Sequence, residues 1–178
     1  MFLPSFTQTM PESLHTRMWR WGFNFFPAYR GTGGRVTYIA ADWREVRVKL
    51  PLNWRTRNYV GTTFGGSLYG AVDPFYMIML IKLLGPEYIV WDRAAAIRFR
   101  KPGRGTLFAR FVITEDELAS IRIALETQSK IDRVYQVELA DAAGEVHASI
   151  EKTVYIRRKE THPEQPVLPS SNFLRPTD

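Results

Sequence analysis

Asp73 stands inside the most apolar stretch of the chain, SLYGAVDPFYMIMLIKLL over residues 67–84, where a carboxylate calls for an explanation. Taking an unpaired carboxylate out of water is unfavourable and tends to raise its proton affinity, which is the property a general base requires. The structural alternative is a kink. Pro74 follows directly and has no N–H to donate to the carbonyl of Gly70, so Asp73 would cap the second half of a broken helix. Upstream, Gly65 and Gly66 stand where this helix begins, and their backbone N–H groups, unobstructed by a Cβ, suit a carbonyl oxygen that turns into an oxyanion. A plain N-terminal turn is the bland alternative. His15, His147 and His162 are scattered without ligand spacing, so no metal is expected. Gly31-Thr32-Gly33-Gly34 lacks the lysine and the length of a phosphate loop and reads as the turn before a strand.

The elements that must hold these residues read as one helix surrounded by strands. Gly85-Pro86 ends the helix as a C-terminal stop should. Alternation and β-branched content predict strands over 34–41 and 44–50, forming a hairpin that turns near Ala41-Asp42-Trp43. Strands over 88–100 and 105–114, joined by Lys101-Pro102-Gly103-Arg104, predict a second hairpin, and 134–140 with 145–157 predict a third across 141–144. Residues 115–128 form a short amphipathic helix with acidic residues in its first turn. Residues 11–26 form an N-terminal helix whose apolar content is Trp19, Trp21, Phe23, Phe25 and Phe26. Strands and crossover helices do not alternate, so a doubly wound parallel sheet is disfavoured. The expected fold is α+β, an antiparallel sheet wrapped around a long central helix. It comprises a helical extension over 1–30, the sheet domain over 31–159 and a Pro-rich disordered tail over 160–178.

Composition narrows the function classes. The chain has 178 residues, enough for one domain, and 45% hydrophobic with 24% charged residues excludes wholesale disorder and collagen-like structure. It has no cysteine, which removes disulfides, thiolate metal sites and a cysteine nucleophile. Lys and Arg exceed Asp and Glu, giving a net charge of +6 that favours anionic partners. The apolar helix is not expected to span a membrane, since Asp73, Pro74 and Lys82 interrupt it. With no basic region followed by an apolar run at the N-terminus, a cytoplasmic location is expected. A nucleic acid or membrane-surface partner, suggested by the charge and the Trp-rich N-terminus, is the weakest of the readings.

The stretch from Asn58 to Asp73 carries a resemblance. The pattern N-x2-G-x2-F-G-G-x6-D resembles the Asn…His-Gly-Gly…Asp signature of hotdog-fold acyl-CoA thioesterases of the phenylacetyl-CoA thioesterase type. Ile97-Arg98-Phe99-Arg100-Lys101-Pro102-Gly103-Arg104-Gly105 is similar to that group's strand-turn segment. The likeness covers roughly 34–157 and implies a hotdog fold. Arg57 to Thr62, Asp73 to Tyr76 and Val90-Trp91-Asp92 look like a branch apart from its well-described enzymes. The resemblance implies that Gly65, with Gly66 beside it, holds the thioester oxygen, that Asn58 orients the carbonyl or the attacking water, and that Asp73 acts as base or nucleophile. Asp92 would add a polar contact, with a salt bridge to Arg93 as its structural alternative. Arg98, Arg100, Lys101 and Arg104 suit the phosphates of coenzyme A, or form a solvated strand face. Tyr69, Phe75, Tyr76 and Met79 would line an acyl tunnel, or simply be core. Phe64 stands where the enzymes usually have His and offers the substrate no hydrogen bond.

Gly65 and Asp73 are eight positions apart, roughly 12 Å along one helix axis, so one thioester cannot touch both within a chain. A shared carbon requires Asp73 from a second subunit, and a homodimer, possibly a tetramer, is expected. Two functional readings follow: hydrolysis of an acyl-CoA or acyl-carrier thioester without a cofactor, or a hotdog module that binds such a ligand without turning it over. A dehydratase would want a histidine near the motif, and none is present.

Overall fold

The computed structural model describes residues 10–159. The tail expected to be disordered, 160–178, lies outside the described residues. The strands are β1 (Arg35–Ile39), β2 (Glu45–Leu50), β3 (Tyr88–Phe99), β4 (Leu107–Val112), β5 (Lys130–Ala140) and β6 (Val146–Arg158). They form one antiparallel sheet in the order β1-β2-β4-β5-β6-β3. The helices are α1 (Leu14–Phe25), α2 (Pro27–Thr32), α3 (Gly65–Gly70), α4 (Phe75–Leu84) and α5 (Glu115–Thr127).

The sheet curls around α3 and α4. Along β6 the inward positions Ala148, Ile150, Val154 and Ile156 are buried, at the two-residue spacing of a half-buried strand. Helix α4 presses Phe75, Tyr76, Met79 and Leu80 onto this face, and Phe75 packs against Phe111 of β4 at 5.1 Å between ring centres. Tyr76, Met79 and Phe75 are therefore core rather than tunnel. The apolar stretch Gly65–Leu84 is long and apolar enough to cross a membrane by length and composition, yet Ala71 to Pro74 break it into two helices as Pro74 requires. The space at Gly70 serves a neighbour as well: a Cβ there would lie 2.8 Å from the Thr32 methyl of α2.

The hairpins β1–β2 and β5–β6 form as expected, with Arg35↔Lys49 and Ala140↔Val146 among the registered pairs. The hairpin expected between β3 and β4 does not form. β3 pairs with β6 at the sheet edge, while β4 lies between β2 and β5. The reason is that the connection belongs to other partners: Arg100 N–H and Lys101 N–H donate to His147 O, and Gly103 O accepts from Thr63 N–H. Pro102 ends the ladder because it has no N–H to give.

The N-terminal extension holds two helices rather than one, because Pro27 starts a new helix at its favoured first position. Of the aromatic residues expected as apolar content, Phe23 packs against the core, whereas Trp21, Phe25 and Phe26 are exposed. The extension covers the β1 edge of the sheet: Asn24 of α1 donates to Val36 O and accepts from Val36 N–H, and Glu12 accepts from Ile39 N–H. Such covering blunts an edge that would otherwise recruit another strand. The β3 edge, twelve residues long, has no such cover among the described residues.

Gly33 closes α2 in the left-handed region with φ 86°, and a Cβ there would fall 2.1 Å from Thr56 Cγ2. Gly33→Ala is expected to destabilise the fold by about 2–3 kcal/mol, lowering Tm by roughly 5–10 °C in a thermal melt. Adding Thr56→Ser is expected to restore the steric part of that loss. The serine removes the clashing methyl while retaining the hydroxyl that donates to Pro51 O and accepts from Asn53 N–H.

Candidate functional site

Phe64 is the N-cap of α3 and its side chain caps nothing, so the first amides of the helix, those of Gly65 and Gly66, receive no side-chain acceptor there. The loop before it is tied down: Phe64 N–H donates to Thr56 O at 2.7 Å and Thr63 N–H to Gly103 O at 2.9 Å. These bonds bring the α3 N-terminus against the β3–β4 connection. Between them lies a cavity of about 370 Å³ whose walls include Asn58, Gly65, Phe99, Arg100 and Lys101.

Both glycines also have a steric reason. A Cβ on Gly65 would come 3.2 Å from the Phe99 ring, and one on Gly66 would come 2.5 Å from the Phe64 ring. Phe64 itself is 55% exposed and does not line the cavity. Asn58 spends its amide within its own loop, donating to Thr62 Oγ1 and accepting from Thr62 N–H, each at 2.9 Å.

The basic residues divide. Arg100 and Lys101 reach the cavity, with Lys101 paired to Glu145. Arg98 lies on the outer face of the sheet in a depression beside Glu138 and Glu151, which Arg100 also borders. Arg104 is exposed and outside the cavity wall.

Asp73 belongs to a second group. Its side chain is 41% exposed rather than sealed in the helix, and Oδ1 accepts from Lys152 Nζ at 2.6 Å. Lys152, on β6, is 1% exposed and also pairs with Asp92 Oδ2 at 2.8 Å. Its ammonium lies 3.4 Å from the Tyr69 hydroxyl. A bulge in β3 at Arg93 breaks the register with β6 beside Asp92. Arg93 pairs instead with Asp132, so the salt bridge considered between Arg93 and Asp92 is replaced by the one to Lys152.

Burial pushes the Asp92 carboxyl up, and Lys152 opposes that shift without cancelling it. Burial alone would push the Lys152 ammonium down, but its bonds to Asp73 and Asp92 outweigh burial and hold it above the ordinary lysine range. Asp92 Oδ1 is buried without a hydrogen-bond partner among the described residues. Lys152 thus draws both acids to the kink, and of the two Asp73 is the more open to solvent.

The expected site residues thus form two clusters, Asn58, Gly65, Arg100 and Lys101 around the cavity, and Asp73 with Asp92 around Lys152. Lys152 was missed by sequence reasoning, although a signal exists: it falls between Ile150 and Val154, in the inward register of β6 where every neighbour is apolar. His147 is also less isolated than its sequence position suggests. It meets Asp141 and Glu145, whose ligand atoms lie within 4.8 Å of one another. That group closes the β5–β6 turn: Asp141 Oδ1 accepts from Ala143 N–H and Glu145 N–H, while His147 Nδ1 faces Pro102 O.

Comparison with solved structures supplies relatives of the same architecture. Pseudomonas aeruginosa PA5026, described as a protein of unknown function and probable thioesterase, superposes with a TM-score of 0.71 at 18% identity, covering 85% of this chain and 99% of that one. A Chlorobaculum tepidum protein of unknown function gives 0.65 at 16% identity over 85% and 99%. Haemophilus influenzae thioesterase HI1161 gives 0.61 at 11% identity over 86% and 99%. At these identities the likeness establishes the fold, which is that of the hotdog thioesterases. No curated protein matches the chain. The family profile described as a domain of unknown function, DUF4442, matches residues 16–156, and with most of the chain inside that match the protein belongs to the DUF4442 family.

Proposed function

We propose that the protein is a thioester hydrolase acting on an acyl-CoA or acyl-carrier thioester at a site shared between two copies. The observation that carries the reading is the pairing, along one broken helix, of an uncapped N-terminal turn opening onto a cavity with an Asp73 anchored by buried Lys152. The bare β3 edge supports a homodimer formed by strand pairing, since the opposite edge is already covered. In such a dimer the antiparallel central helices bring Asp73 of one copy towards Gly65 of the other.

In this mechanism the thioester oxygen accepts from the Gly65 amide, and Arg100 and Lys101 hold phosphates of the carrier. Asp73 takes a proton from water as the oxygen attacks the thioester carbon. The tetrahedral intermediate then collapses, the C–S bond breaks, and the proton passes from Asp73 to the departing sulfur, giving a carboxylic acid and a thiol. No cofactor takes part, and coenzyme A enters as part of the substrate.

The second reading, a module that binds the thioester without hydrolysing it, is favoured by two observations. Phe64 supplies no hydrogen bond to substrate, and Asn58 has its amide engaged within the loop. A thiol-release assay across short, medium, long and aromatic acyl-CoAs decides. Turnover establishes the hydrolase, whereas a rise in Tm with acyl-CoA and no thiol release establishes the binding module.

The homodimer is tested by sedimentation equilibrium at micromolar concentration, where a mass of twice the chain is expected. A monomer at every concentration sinks the shared site.

A further inference from the structure

A second cavity, of about 280 Å³, lies between the N-terminal extension and the kink of the central helix. We propose that it takes the acyl end of the substrate, an acyl group of about six to ten carbons, and that the N-terminal extension is therefore the specificity element of the site. This rests on the reading of Asp73 as the residue that acts on the thioester.

The cavity wall is apolar, with Phe23, Phe26, Ala28, Pro74 and Ile78 among its residues, and Asp73 is the one charged residue lining it among the described residues. The residue argued to act on the thioester thus stands at the wall of an apolar space. The acyl carbons that follow a thioester carbon need such a space. The walls come from two directions: Pro74 and Ile78 from the central helix, and Phe23, Phe26 and Ala28 from the extension.

The extension is fixed against the kink rather than resting loosely over it. The Tyr29 hydroxyl donates to Ala71 O, and the Tyr29 ring meets Phe75 at 5.4 Å. Gly70 lacks the Cβ that would drive Thr32 away. At the rim Phe26 is 59% exposed, an aromatic surface that the fold itself leaves uncovered.

Volume sets the length. An apolar cavity of about 150 Å³ accommodates benzene, so a space close to twice that size suits about six to ten buried carbons rather than an acetyl group.

The test uses two thioethers that bind like substrate but cannot be hydrolysed, S-methyl-CoA and S-octyl-CoA, titrated calorimetrically into the full-length protein. Wild type is expected to bind the octyl compound at least 100-fold more tightly than the methyl compound, since each methylene buried in an apolar pocket adds affinity. Ala28→Trp places an indole in the cavity from an exposed helix position and is expected to bring that ratio to within about threefold of unity. Phe26→Ala, which removes the rim without filling the cavity, is expected to lower it about fivefold and guards against a misfolded tryptophan variant.

An unchanged ratio in a folded Ala28→Trp, or equal binding of the two compounds by wild type, overturns the acyl pocket and leaves the thioester reading standing. Failure of wild type to bind either thioether removes both.

Discussion

Asp73→Asn is expected to lower kcat for thioester hydrolysis by about 10²- to 10⁴-fold while changing KM by no more than about threefold. Asparagine keeps the shape and an oxygen for Lys152 Nζ, which lies 2.6 Å from the native carboxylate, so the kink and its anchor survive. What is lost is the charge that accepts the proton from water. A variant with unaltered circular dichroism and more than a tenth of wild-type turnover would remove Asp73 from the chemistry. Loss of activity through a large rise in KM would instead place it in binding. The side chain is 41% exposed, so the substitution leaves no buried orphan and the kinetic effect can be read without a stability correction.

How much of this was legible in the sequence depends on the range of the interaction. The β1–β2 and β5–β6 hairpins follow from alternation and short turns, which are local signals. The partner of β3 is not local. Lys101 to Arg104 reads as a hairpin turn, but Thr63 and His147 claim its backbone groups, and neither is near in sequence. The extension follows the same rule: its helical nature was readable, whereas Pro27 as a restart and Asn24 as a mimic of strand pairing on Val36 depend on where β1 lies. At the site, Gly65 was readable as a helix start, whereas the cavity it lines is closed by Phe99 to Gly103, far away in sequence. Asn58 was readable as a polar residue in a loop, but Thr62, four residues on, absorbs both halves of its amide. Asp73 invited attention because a carboxylate in an apolar helix is conspicuous. Its counterion stood 79 positions away and was visible only as a lysine in an apolar register.

That lysine also gives a large expected effect on stability. Lys152→Met leaves Asp73 and Asp92 facing each other without the cation that holds both. Removing one partner from a buried ion pair leaves uncompensated charge. Asp73 is partly screened by solvent, so most of the penalty falls on Asp92, whose side chain is 24% exposed. The expected loss is about 2–3 kcal/mol at pH 7.5, or roughly 5–10 °C in Tm. The pH dependence carries the diagnosis. Asp92 already binds protons more readily in the folded chain than its ordinary value implies, because burial disfavours its charge. A carboxyl raised on folding weakens the fold above its folded pKa and ceases to do so as pH falls through it. Lys152 offsets that penalty in the wild type, and its own raised value means that this contribution is present at neutral pH and disappears only as pH rises through the lysine range. The gap in Tm between wild type and Lys152→Met should therefore be widest near pH 7.5 and narrow as the solution is taken towards pH 4.5. Adding Asp92→Asn to Lys152→Met should recover at least half of the loss at pH 7.5, because it removes the charge that was left unpaired. A gap that stays constant from pH 4.5 to 8, with no recovery in the double variant, would mean that Lys152 contributes through packing of its aliphatic stem against the sheet and not through its charge.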